Sequence, residues 1–285
     1  MAPHVGPASM ISREAVSART ASRMAVMTHD DATITPRPLV NLRDLGGITV
    51  AGGKVRDSVL WRGDDPTISP RDEIAALAAQ GLSAVLDLRS TPEVARSPHR
   101  TAAEFGVAAH HLPLAERAVN PLALVEVAPA VHSPADVGRW YAGLVRGHIH
   151  EVAAGLSIIG SSSGGVLFHC AAGKDRTGIL AAVVLLLLGA DRSEIVEDYS
   201  RTEQNLVAIF DRLRTTASPA SDDADEDAKR AADFFASGHP LLSATADSMD
   251  SMISELGGAG GLRDLLRAET DPGEVSESLH TKLVA

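Results

Sequence analysis

The chain has 285 residues, 45% of them hydrophobic, a formal net charge of −11 and a single cysteine. The hydrophobic share is enough for a sizeable core, and the acidic balance argues against a nucleic-acid surface and against broad attraction to anionic membrane. One cysteine excludes an intramolecular disulfide and suits a reducing compartment, so the expectation is a cytoplasmic protein, with export without a signal peptide left open.

The first 35 residues are rich in Ala, Ser, Thr, Pro and Arg and lack the apolar run of a secretory signal. They read as a flexible extension, followed by a single domain over 36–285; a transit peptide or a later start at Met24 or Met27 are the alternatives. Lys54 to Trp61 suits a strand. Ser69-Pro70-Arg71-Asp72 predicts an N-cap with proline at the first helical position, opening a helix that Gly81 closes. Ala84 to Leu88 reads as a continuous apolar strand, Ser90-Thr91-Pro92-Glu93 as a capping box, and Val107 to Leu112 as a further strand. Ala135 to Ile159 holds one or two helices. Gly165 to Phe168 ends a short buried strand, and Thr177 to Leu188 suits a buried helix stopped by Gly189. Its apolar run falls well short of the ~20 residues a membrane span needs. Near the end, Met249, Ile253 and Leu256 recur at helical spacing, as do Leu262, Leu265 and Leu266, and read as core. This alternation predicts an α/β fold with a mostly parallel central sheet and helices on both faces.

Between the last strand and its helix lies His169 to Gly178, HCAAGKDRTG. Cys170 opens a tight loop that reaches Arg176 six positions later. Backbone N–H groups of Ala171, Ala172, Gly173, Lys174, Asp175 and Arg176 turn inward as the chain enters the helix, whose positive end faces the same hollow. Such a nest binds phosphate and favours a thiolate. Arg176 offers a planar fork that holds two phosphoryl oxygens, so Cys170 and Arg176 read as nucleophile and phosphate ligand. A kinase-type P-loop is excluded because Gly173-Lys174 is followed by Asp175. A protease pair is disfavoured because His169 adjoins Cys170 and points to the other face of its strand, where it suits a buried support for the loop.

The loop resembles the CX5R signature of the cysteine-dependent phosphatases. More narrowly, the chain resembles bacterial tyrosine and lipid phosphatases of the mycobacterial protein tyrosine phosphatase B type, whose loop reads HCxxGKDRTG. Asn41-Leu42-Arg43-Asp44-Leu45-Gly46-Gly47 and Ala84-Val85-Leu86-Asp87-Leu88-Arg89-Ser90 resemble two further signatures of that family, in the expected order. The resemblance runs from about Pro36 to the C-terminus. It implies the cysteine-phosphatase fold and helical insertions that cover the site as a lid. Here 217–236, with its acidic run at Asp222 to Asp227, or 114–131 are the stretches for such a lid, and a solvated loop is the plainer account.

Phosphoryl transfer to Cys170 needs an acid for the leaving oxygen. The classical Trp-Pro-Asp sequence is absent. Asp175 is the first candidate, resembling lipid phosphatases of the myotubularin type that carry their acid in the loop. Asp87 is the alternative, with Arg89 beside it at the end of its strand; a structural ion pair is the plainer account of Arg89. Thr177 either donates to the thiolate or caps the helix. Lys174 is a second cation in the loop and favours substrates with more than one phosphate; with only 3% aromatic residues, no wall for a phenyl ring stands out. His110, His111, His148 and His150 show no metal spacing, so neither metal nor cofactor is expected. With what the resemblance implies, the expectation is a monomeric, metal-independent phosphomonoester hydrolase acting through a phosphocysteine intermediate, first of all a protein-tyrosine phosphatase of broad specificity that extends to phosphoinositides, without nucleic-acid partner or membrane span. The alternative is a phosphate-recognising module without turnover.

Overall fold

The computed structural model describes residues 36–115, 124, 127–214, 233–234 and 237–285. The expected extension over 1–35 and most of the two candidate lid stretches lie outside the described residues. The described residues form seven short strands: β1 (Arg43–Asp44), β2 (Thr49–Val50), β3 (Gly53–Lys54), β4 (Leu60–Gly63), β5 (Leu82–Asp87), β6 (Ala108–His111) and β7 (Gly165–His169). Five of them form one sheet in the order β1-β4-β7-β5-β6, parallel except for the edge strand β1, and β2 pairs with β3 as a separate hairpin.

Alternation along the central strands divides the core between the two faces of the sheet. Trp61, Leu82, Val85 and Leu167 pack on one side with Leu77 and Ala102, from the helices Arg71–Ala79 and Arg100–Glu104. Leu60, Ala84, Leu86, Val166 and Phe168 face the larger cluster on the other side. That side holds the helices Pro134–Gly147, Ile149–Ser161 and Asp175–Leu187, together with the C-terminal helices Ala246–Glu255, Gly258–Leu266 and Pro272–Leu283. Every residue of Asp175–Leu187 is buried, which explains a helix apolar all round after its first turn. Gly189 then takes φ +74, the left-handed stop that the sequence anticipates. No described helix is long and apolar enough to cross a membrane.

Two local expectations are corrected. Lys54 to Trp61 is not one strand: Ser58 adopts φ 59, and its amide donates to Asp44 Oδ2 at 2.6 Å, so a turn separates β3 from β4. Pro70, not Ser69, occupies the N-cap of Arg71–Ala79, and the Ser69 hydroxyl accepts from Arg212 Nη2 at 2.7 Å. By contrast, Ser90 and Glu93 do form the capping box at the start of the Thr91–Arg96 helix.

Candidate active site

β7 delivers the loop. Its last residue, His169, is fully buried, and Cys170 follows at the carboxyl edge of the sheet, where open α/β sheets place their ligands. The loop turns at Gly173 with φ +68; a Cβ there would lie 2.6 Å from the carbonyl carbon of Gly63, so only glycine fits. Six residues after Cys170, Arg176 sits in the first turn of the following helix.

The loop carbonyls are held from outside. Asp65 N–H donates to Ala171 O at 3.2 Å, and Asn41 Nδ2 reaches Ala172 O at 3.2 Å and Gly173 O at 3.0 Å. Arg62 Nη2 also reaches Gly173 O, at 3.0 Å. Because these carbonyls are engaged from that side, the peptide planes turn their N–H groups toward the hollow. Among the described residues, no backbone amide from Ala171 to Thr177 donates to a protein acceptor. Arg176 Nε and Thr177 Oγ1 are likewise buried without a hydrogen-bond partner, so Thr177 does not bond Cys170 in this arrangement. Buried donors without partners are rare in native proteins. Concentrated on one loop at a helix N-terminus, such donors are suited to an anion.

Arg176 is aimed by a residue the sequence reading treated only as part of a helix cap. Its Nη1 and Nη2 donate to Glu93 Oε2 at 2.7 Å and Oε1 at 3.0 Å, and Nη1 also reaches Leu88 O at 3.2 Å. Burial alone would raise the Glu93 carboxyl, but the charge and hydrogen bonds of Arg176, with Ser90, hold it down at about 2. Burial works to lower Arg176, and the opposing charge of Glu93 raises it above its ordinary value. Cys170, 1% exposed, lies within electrostatic reach of both Arg176 and Lys174.

Asp175 and Lys174 are buried beneath the loop, so Lys174 is not a solvated rim charge. Lys174 Nζ lies 2.8 Å from Asp175 Oδ1 and donates to Leu241 O at 2.9 Å and Ser243 O at 3.1 Å. Three acceptors use all three of its N–H bonds. Burial would lower this ammonium, but Asp175 raises it, so it stays charged. Asp175 Oδ1 also accepts from the Tyr141 hydroxyl at 2.5 Å, and the Tyr199 hydroxyl stands 2.8 Å from that of Tyr141. Burial and the Asp175 carboxylate push Tyr141 far above its ordinary value, keeping it a donor. Asp175 Oδ2 has no hydrogen-bond partner among the described residues.

Asp87 and Arg89 are brought close to His169, but as a buried structural network. Arg89 grips both oxygens of Asp87, with Nη2 to Oδ2 at 2.6 Å, and its Nη1 reaches Asp65 Oδ2 at 2.6 Å. Burial would raise Asp87, yet His169, the His99 hydrogen bond and Arg89 together hold it well below the carboxylate range. Both oxygens of Asp87 are thus taken up by Arg89, and Oδ2 also lies 3.1 Å from His99 Nε2. His169 Nδ1 lies 3.1 Å from Cys170 O and supports the loop as expected; burial lowers it to about 4, so it is neutral at pH 7.

The N-terminal signature acts through the loop's outer side. Arg43 donates to Asn41 Oδ1 at 2.8 Å, orienting the amide that clamps Ala172 and Gly173. Arg43 also meets Asp198 at 2.8 Å, and Asp198 in turn pairs with Arg62 at 2.5 Å. Asp44 accepts from the amides of Gly46 and Ser58, which anchors the turn after β1. Asn41, Arg62, Glu93, His99, Tyr141 and Tyr199 were not singled out as site residues by sequence reasoning; of these Asn41 carried a signal as the first residue of the N-terminal signature and Glu93 as the last residue of the capping box.

The tyrosine phosphatase family model matches residues 35–282. The chain belongs to that family. A candidate tyrosine-protein phosphatase of Cupriavidus necator is 33% identical over 172 residues, covering 58% of this chain and 60% of the relative. A tyrosine-protein phosphatase of Nostoc commune is 34% identical over 127 residues, covering 44% and 42%. The triple specificity protein phosphatase PtpB of Mycobacterium tuberculosis is 48% identical over 48 residues, 17% of each chain. The alignments therefore span 60% or less of these relatives' own lengths. The crystal structure of P. aeruginosa TpbA matches 63% of this chain and 90% of its own at 18% identity with a TM-score of 0.33, too low to bear on the family's assignment.

Proposed function

We propose that the chain hydrolyses phosphomonoesters through a phosphocysteine intermediate, with phosphotyrosine in proteins as its principal substrate. The observation that carries this reading is the loop's polarity: its carbonyls are clamped outward, and its amides, with Arg176 Nε, are left to converge on an anion beside Cys170. In the first step Cys170 Sγ attacks phosphorus and the phosphorus–oxygen ester bond breaks. Asp175, anchored through Oδ1, gives a proton from Oδ2 to the leaving oxygen. In the second step water attacks phosphorus, Asp175 takes its proton, and the phosphorus–sulfur bond breaks to release inorganic phosphate and Cys170. The loop amides and Arg176 hold the three equatorial oxygens of both transition states.

The HCAAGKDRTG loop and the short match to PtpB support placing the chain with the mycobacterial B-type enzymes. That relative is a triple specificity protein phosphatase by name; for this chain, a phosphoinositide needs a second cation, and Lys174 already serves Asp175 and two carbonyls. Phosphoinositide turnover therefore requires the 241–243 segment to release Lys174, and phosphotyrosine does not. The test is phosphate release from phosphotyrosine peptides, phosphoserine peptides and phosphoinositides, with acid trapping of the phosphocysteine. Turnover of phosphotyrosine that vanishes in Cys170→Ser supports the reading. A folded protein that binds inorganic phosphate yet turns over none of the three would instead be a recognition module.

A further inference from the structure

One cluster beside the loop is used by none of these steps. His169 Nε2 and His99 Nε2 face each other at 2.8 Å, and His99 Nε2 lies 3.1 Å from Asp87 Oδ2. His169 Nε2 is 3.8 Å from Asp87 Oδ1. One ligand atom from each of the three residues lies within 4.8 Å of the others. The carboxylate and the His169 ring are buried, and the His99 side chain is 8% exposed, giving the cluster a narrow opening to solvent.

We propose that Asp87, His99 and His169 form a binding site for a divalent transition metal of the zinc type, separate from Cys170. Two imidazole nitrogens at hydrogen-bond distance must share one proton or one metal. His169 is preset for the metal: its Nδ1 bonds the Cys170 carbonyl, which it can do only as the donor, leaving a lone pair on Nε2. A metal-ligating histidine almost always donates its other N–H in this way. His99 presents Nε2 once its proton sits on Nδ1, a tautomer change that leaves the proton count unaltered. Tetrahedral zinc with bonds of about 2.0–2.1 Å sets ligand atoms about 3.3 Å apart. With Asp87 Oδ2 as the carboxylate ligand, His99 Nε2 stands 2.8 Å from His169 Nε2 and 3.1 Å from Oδ2, close to that value, and all three ligand atoms lie within 4.8 Å of one another. Three protein ligands leave a fourth position for water, as in open zinc sites.

Charge permits the ion. Asp65, Asp87 and Glu93 stand against Arg89 and Arg176 in the surrounding network, one negative charge in excess. Arg89 then acts as the outer partner of the ligating carboxylate: its backbone N–H and Nε take Oδ1, and Nη2 takes one side of Oδ2, which presents its other side to His99. His99 and His169 are 70 positions apart, so no ligand spacing announces the set in the sequence.

The proposal does not depend on the phosphatase reading, and it adds no metal to the hydrolysis. It is tested on the full chain, stripped with a chelator and titrated with zinc chloride alone, by native mass spectrometry and calorimetry. The wild type should bind one zinc ion, His99→Ala should bind it at least tenfold more weakly, and Cys170→Ser should bind it unchanged. Cobalt in place of zinc should give visible bands without a sulfur-to-metal charge-transfer band. His150→Ala, at an exposed pair with Glu269, should leave binding as in the wild type. No binding by the wild type, equal binding by His99→Ala, or loss of the ion in Cys170→Ser overturns the proposal.

Discussion

Replacing Glu93 by Gln removes the charge that faces Arg176 while keeping the shape of its fork. Glu93 is 7% exposed, so its electrostatics are weakly screened. The distance between an ordinary glutamate at 4.5 and one at about 2 corresponds to about 3 kcal/mol of folding stability at pH 7. Removing one partner of a buried pair costs about 3–5 kcal/mol, which agrees. The sign follows from the lowered carboxyl: its contribution is complete above 4.5 and disappears as pH falls toward 2. Urea unfolding of wild type and Glu93→Gln should therefore differ by about 3 kcal/mol at pH 7, narrowing to about 1 kcal/mol near pH 3. A gap below about 1 kcal/mol at pH 7, or one that stays constant down to pH 3, would refute the assignment of Glu93 as the charge that balances Arg176.

Gly173→Ala places a methyl against the Gly63 backbone at 2.6 Å and forces alanine to φ +68, where an L-residue costs about 1–2 kcal/mol. The loop must open to accept it, so inhibition by inorganic phosphate should weaken and kcat/KM fall at least tenfold; wild-type values for both would show that the tight turn does not shape the anion site. Tyr141→Phe leaves Asp175 Oδ1 with Lys174 alone and strands the Tyr199 hydroxyl, which should cost about 1–3 kcal/mol in thermal unfolding. A double-mutant cycle with Tyr199→Phe should be non-additive; strictly additive costs would mean that the two hydroxyls do not act together.

What could be read from the sequence is what local spacing encodes. The cysteine, the arginine and the helix that joins them share one short segment, and the strand and helix periods placed β5, β6 and β7 within a residue or two. Pairings across the fold were invisible. Arg176 and Glu93 are 83 positions apart, Lys174 and Leu241 67, Asp175 and Tyr141 34. Nothing in periodicity names such partners, because only the packed sheet and helices decide which side chains meet. Lys174 shows the result: a lysine in a phosphate loop reads as a ligand, yet the carbonyls of the turn Pro240–Leu242 and of Ser243 claim its donors. Asp87 and Arg89 were correctly placed at one strand end, but only the structure shows that they neutralise each other.

Asn41 stands more than 120 residues before the loop it clamps, and its amide is the side chain that touches both Ala172 O and Gly173 O. The start of the domain is therefore a working part of the anion site without lying in it. A shortened chain that begins after Asn41 would keep the sheet strands and Cys170 but lose the brace that keeps two peptide planes facing inward. On the proposed function, a folded yet sluggish protein is the expected result of such trimming, with turnover recovered in chains that retain the residues ahead of β1.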